Sequence, residues 1–149
     1  MKRLRSYGWR LTLLIVPLTC VRSAVAADSV GWQTDVNQAW KMTQQQDRPL
    51  LVFVTSEDCA YCVKMKNSTY ADSFVRAQIA ACFVPLELNG RDASPLVKDL
   101  HVESYPTTFI ISPRAVILDR ISGYVPPEAL AKRLDAFRPR LQAVYARSQ

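Results

Sequence analysis

The sequence predicts an α/β domain, a central mixed β-sheet flanked by helices on both faces. Three observations carry the prediction: a near-continuous apolar run at residues 50–55, the cysteines Cys59 and Cys62 directly after it, and two later strand-like runs at 107–111 and 116–121. An apolar run without alternation is the pattern of a strand buried on both faces in a parallel sheet. The later runs are separated only by Ser112-Pro113-Arg114-Ala115, short enough for an antiparallel hairpin. A parallel half joined through a helix to a hairpin half gives a mixed sheet.

Residues 1–26 read as a secretory leader that precedes the domain. Lys2, Arg3, Arg5 and Arg10 form a basic start, residues 11–21 an apolar core, and Ala24-Val25-Ala26 a small-residue cleavage site. That core, interrupted by Pro17, is shorter than the roughly 20 residues needed to span a bilayer. The expectation is a signal peptide over 1–26 and one domain over 27–149, periplasmic or secreted, with no stable membrane span after cleavage. The leader carries five of the 19 basic residues and no acid, which leaves 14 basic against 13 acidic residues and a net charge of +1. The excess positive charge belongs to export. Nothing in the remaining balance argues for a nucleic-acid partner.

The elements follow in order. Residues 34–46 place Val36, Ala39, Trp40 and Thr43 at helical spacing, and Asp47-Arg48-Pro49 ends that helix. Strand 50–55 comes next, then a helix from Cys59 to about Asn67. A second helical piece over 71–81 is built on Phe74, Val75, Gln78 and Ile79, with Asp72 or Ser73 as its cap. Residues 83–88 form the next strand, and Asn89-Gly90-Arg91-Asp92 a turn. Ser94-Pro95 opens a short helix to Leu100, with proline at a tolerated first-turn position. After the hairpin, Gly123 breaks the last strand. Pro126-Pro127-Glu128 begins an amphipathic helix carrying Leu130, Leu134 and Phe137, disturbed at Pro139 and continuing toward Tyr145.

Cysteines three apart at a helix start lie on one face, close enough to share a disulfide with little backbone movement. As the first residue of that helix, Cys59 sits among unpaired N–H groups and the positive end of the dipole, which favour thiolate over thiol. Cys59 is the expected nucleophile, and Cys62, one turn deeper, the resolving thiol. The spacing alone serves equally for half of a zinc site or a structural bridge. Copper or zinc binding through Cys59 and Cys62, with His101 as a third ligand, is the alternative, because thiolates suit soft ions. The other soft candidates, Cys82 and His101, form no second closely spaced pair. Cys82 reads as a core residue and His101 as a surface residue. Asn67-Ser68-Thr69 matches a glycosylation sequon by chance.

With these residues in hand, the chain resembles the thioredoxin-like superfamily, in particular small exported thiol-disulfide oxidoreductases. The resemblance spans roughly residues 32–134. It rests on Pro49-Leu50-Leu51-Val52-Phe53-Val54 before the cysteines, Lys64 and Met65 behind them, Phe83-Val84, Tyr105-Pro106-Thr107, and Gly123-Tyr124. It implies a thioredoxin-like fold and a redox-active disulfide of Cys59 and Cys62. It also implies that Pro106 is a cis-proline facing the pair, with the Tyr105 backbone receiving an extended substrate segment. Tyr61, exposed between the thiols, would join Tyr105 and Pro106 in binding substrate. Protein thiols and disulfides are the implied substrates, with a membrane or soluble dithiol as electron donor, no bound organic cofactor and a monomeric chain.

The departures from that pattern are informative. Phe53 stands where thioredoxins carry a buried acid, which leaves water, Glu57 or Asp58 as substitutes for a proton relay. Ala115 stands where many relatives have a turn glycine. Glu57 and Asp58 place two negative charges beside Cys59 and are expected to raise its pKa, making the couple more reducing. Lys64 and Lys66 read as a solvated helix face.

Overall fold

The computed structural model describes residues 29–91 and 95–137. The expected leader and cleavage site lie outside the described residues, as does the expected continuation of the last helix past Phe137. The elements are α1 (Val36–Gln46), β1 (Leu50–Thr55), α2 (Ala60–Lys64), α3 (Ser73–Cys82), β2 (Val84–Asn89), α4 (Pro95–Asp99), β3 (Thr107–Ile111), β4 (Ile117–Ser122) and α5 (Pro127–Asp135). The four strands form one sheet in the order β2-β1-β3-β4. β1 runs parallel to β2, with Thr55 opposite Asn89, and antiparallel to β3. The antiparallel β3–β4 hairpin completes the expected mixed sheet.

Alternation along the central strand divides the core into two layers. Leu51 and Phe53 of β1 face Cys62, Met65, Tyr70 and Ile79 together with α5, whereas Leu50, Val52 and Val54 face Ala39 of α1 and Val97 of α4. This is why the run at 50–55 shows no polar alternation: both of its faces are buried. Trp32, Phe53 and Tyr70 form an aromatic cluster, with ring centroids 4.9 to 5.7 Å apart. Burial pushes the Tyr70 phenol well above its ordinary range. Its hydrogen bond with Thr108, at 2.8 Å, opposes that push, while the nearby Glu87 charge adds to it.

Caps decide where the helices begin and end. Asp35 Oδ1 accepts from Gln38 N–H at 2.8 Å, so α1 starts at Val36, two residues later than the spacing suggests. Asp72 caps α3 by accepting from Phe74 and Val75 N–H. Phe83 is extended and closes α3, so the following strand starts at Val84. Arg48 Nη2 donates to the carbonyls of Ile79, Ala80 and Phe83 at the end of α3, where Ile79 O also accepts from Phe83 N–H. α4 stops at Asp99 rather than Leu100, where His101 takes a left-handed conformation (φ 46°). Cys82 is only half-buried at the end of α3, because the last helical turn lies at the rim of the core.

The expected single helix from Cys59 to Asn67 is interrupted. α2 passes into a π-helical turn, Met65–Thr69, in which Tyr70 N–H donates to Met65 O at 2.9 Å. Ser68 Oγ donates to Lys64 O at 2.7 Å, a side-chain bond that competes with the regular ladder and widens the turn. In the hairpin, Ala115 holds φ 60°, and a register shift falls between Ile110 and Ile111. A β-carbon in that region costs about 1–2 kcal/mol, so Ala115→Gly is expected to stabilise the fold by about 0.5–1 kcal/mol. A higher urea midpoint at unchanged m-value checks this.

Candidate functional site

The site forms where β1 and β2 end side by side. In-register parallel strands bring the residues after Thr55 beside those after Asn89, the place where open α/β sheets gather their chemistry. Cys59 is the N-cap of α2 and not its first residue: its backbone is extended (φ −103°, ψ 94°), and its Sγ accepts from Cys62 N–H at 3.1 Å. Its carbonyl receives Cys62 and Val63 N–H at 3.0 and 3.1 Å. The sulfur therefore meets the helix start directly, with the same preference for negative charge that the spacing suggests.

Cys59 and Cys62 are joined by a disulfide with an S–S distance of 2.05 Å and Cα atoms 5.2 Å apart. Cys62 is 1% exposed while Cys59 is partly exposed, so solvent reaches the pair through Cys59. The Tyr105–Pro106 peptide bond is cis. Pro106 is buried and Tyr105 half-buried, and Tyr105 and Cys59 both pack against the core layer that contains Cys62. Pro106 O accepts from Gly123 N–H at 2.7 Å, which fastens this loop to the turn after β4. Tyr61 is 62% exposed between the cysteines, its ring 6.5 Å from that of Tyr124. Lys64 Nζ lies 4.4 Å from the Tyr124 ring, a cation–π contact.

Glu57 and Asp58 precede Cys59 but do not act as isolated charges. Arg91 Nη1 meets Glu57 and Arg91 Nη2 meets Asp58, each at 3.2 Å. One guanidinium thus offsets part of both negative charges, weakening the expectation that they govern the Cys59 thiolate. Both carboxylates stay well exposed, at 66% and 88%, so water and salt screen them further. Lys66, expected on a solvated face, instead pairs with Glu87 of β2. Glu87 is the register partner of Phe53, so the sheet holds a carboxylate one strand away from the position Phe53 occupies.

Arg91 and Glu87 belong to the surroundings of the site, and sequence reasoning passed over them as turn and strand residues; Tyr124, already one of the marks of the resemblance, lies there beside Tyr61 and Lys64. The usable signal was the alternation of Val84-Pro85-Leu86-Glu87-Leu88-Asn89 once β2 is paired in register with β1. His101 is exposed, with its Nδ1 2.8 Å from Asp99 O. Among the described residues, no three His, Cys, Asp or Glu side chains are grouped to hold a metal ion.

The thioredoxin-like domain family matches residues 36–138. No match was found among curated proteins. Among solved structures, a thioredoxin from Thermus thermophilus is similar at a TM-score of 0.61 and 24% identity, covering 69% of this chain and 83% of that one. A DsbH oxidoreductase is similar at 0.60 and 16% identity, over 76% of this chain and 87% of that one. The C-terminal domain of DsbD from Neisseria meningitidis, in its reduced form, is similar at 0.57 and 14% identity, over 67% and 91%. Identities this low speak for the fold; the matched family and the bonded cysteines speak for the chemistry. The chain belongs to the thioredoxin-like domain family and is a thiol-disulfide oxidoreductase built around a Cys-x-x-Cys pair.

Proposed function

We propose that this protein is exported and catalyses reduction and exchange of disulfides in other exported proteins, through attack by Cys59 and resolution by Cys62. The observation that carries the reading is the unequal exposure of two bonded sulfurs at the start of one helix. In the reduced protein, the Cys59 thiolate attacks one sulfur of a substrate disulfide. A mixed disulfide forms, and the other substrate sulfur leaves as a thiolate that takes up a proton. The Cys62 thiolate then attacks Cys59 Sγ, releases the second substrate thiolate and closes the Cys59–Cys62 bond. Two electrons have passed to the substrate, and a membrane or soluble dithiol returns them.

The Tyr105 backbone beside Pro106 receives the substrate segment, and Tyr61 flanks it. Residues 1–26 direct export and are removed, leaving 27–149 as the working domain in the periplasm or outside the cell. Among the described residues, no helix is long and apolar enough to cross a membrane.

Removing the resolving thiol tests this order of events. Cys62→Ser, reduced and then exposed to disulfide-bonded protein partners, is expected to accumulate mixed disulfides, visible as bands on a non-reducing gel that vanish with dithiothreitol. The same bands in Cys59→Ser, or their absence from Cys62→Ser, contradict the assigned roles.

A further inference from the structure

We infer that the Asn89-Gly90-Arg91 turn is a strut that sets the substrate-pairing loop against the cysteine pair, with Gly90 as a positioning residue acting through Tyr105. The inference rests on the role proposed above for the Tyr105–Pro106 loop. Its basis is a close approach. A Cβ placed on Gly90 would lie 2.2 Å from Tyr105 Cε1, 2.3 Å from its Oη and 2.4 Å from Cζ. Gly90 is not among the positive-φ residues, so it is the contact and not the backbone angle that excludes a side chain.

The turn is pinned on its other side. Gly90 N–H donates to Thr55 O at 2.7 Å, at the end of β1, four residues before Cys59. Arg91 N–H donates to Asn89 Oδ1 at 3.1 Å, and the Arg91 guanidinium grips Glu57 and Asp58, the two residues that lead into Cys59. Tyr105 meanwhile packs against both core layers and is joined to Pro106, whose carbonyl is held by Gly123 N–H. Two segments thus converge on one bare backbone surface, the lead-in to Cys59 and the Tyr105–Pro106 loop, and the loop is tied in turn to Gly123 after β4. A methyl group at Gly90 cannot push the turn away without breaking its bond to Thr55, so the phenol ring must leave. Because the ring is the free end of a side chain, the fold survives while the loop loses its seat.

The test is a double-mutant cycle on the full chain with Gly90→Ala, Tyr105→Ala and the pair together. Each is assayed for reduction of insulin disulfides with dithiothreitol as donor, and for thermal unfolding. Gly90→Ala is expected to raise KM about tenfold with kcat within about twofold, and to add nothing in the Tyr105→Ala background. An unchanged KM in Gly90→Ala overturns the inference, as does an equal loss in the Tyr105→Ala background. If Gly90→Ala alone loses its cooperative unfolding transition, the double variant decides. Recovery of the Tyr105→Ala transition and KM supports the strut, and continued unfolding refutes it. A wild-type chain that fails to turn over insulin would refute the functional reading instead, which keeps the two failures distinct.

Discussion

Cys59→Ser is expected to lower disulfide turnover to the uncatalysed level, a loss on the order of 10³-fold or more. The chemistry needs a sulfur anion at neutral pH. A serine hydroxyl is hardly ionised there and forms no disulfide-like intermediate. Cys62 cannot take over, because it is 1% exposed behind the first turn of α2 and Cys59 lies on its approach from solvent. Cys82 is a free thiol at the end of α3, outside the disulfide, and Cys82→Ser should keep turnover within about twofold. The comparison of the two serine variants separates a specific nucleophile from general thiol reactivity. Steady-state reduction of a protein disulfide, followed with a thiol-reporting dye, provides the measurement.

Phe53→Ala is expected to cost about 3–5 kcal/mol of stability, the usual range for truncating a fully buried phenylalanine. Phe53 is 0% exposed on the central strand and touches Trp32 and Tyr70 with edge and tilted ring contacts. Alanine would leave a cavity in the layer that backs Cys62, and the surrounding strands are paired on both sides and cannot collapse into it. For a domain of this size the melting temperature should fall by roughly 10–20 °C. The loss would show that the ring at this position is a packing element. A loss below about 1 kcal/mol would contradict that view.

The sheet was legible in the sequence because its signals are local. A doubly buried strand such as Leu50–Thr55 must be continuously apolar, and the hairpin at Thr107–Ile111 and Ile117–Ser122 is separated by too few residues to be anything else. Cys59 and Cys62 were legible for the same reason, since their spacing by itself puts them on one helical turn. The π-helical turn was not, because it depends on which acceptor the Ser68 hydroxyl selects after the helix forms. Arg91 against Glu57 and Asp58 was hidden for a different reason. The partners are 33 and 34 residues apart and meet only because β1 and β2 pair in one register. A slip of one residue would turn those side chains to the other face. Tyr105 on Gly90 is likewise a product of assembly: the glycine in the turn after β2 reads as turn chemistry until the loop before β3 is folded onto it.

Equilibration of the wild-type protein with oxidised and reduced dithiothreitol, followed by thiol alkylation and mass measurement, tests the central claim most directly. The expected result is one two-electron transition, about 30 mV per tenfold change in ratio, in which two thiols per folded chain appear together and map to Cys59 and Cys62. Cys82 should be alkylated at every ratio. A Cys59–Cys62 bond that opens only when the chain is unfolded, or that gives way in separate one-thiol steps with Cys82 held in a disulfide and closed to alkylation, would contradict the account.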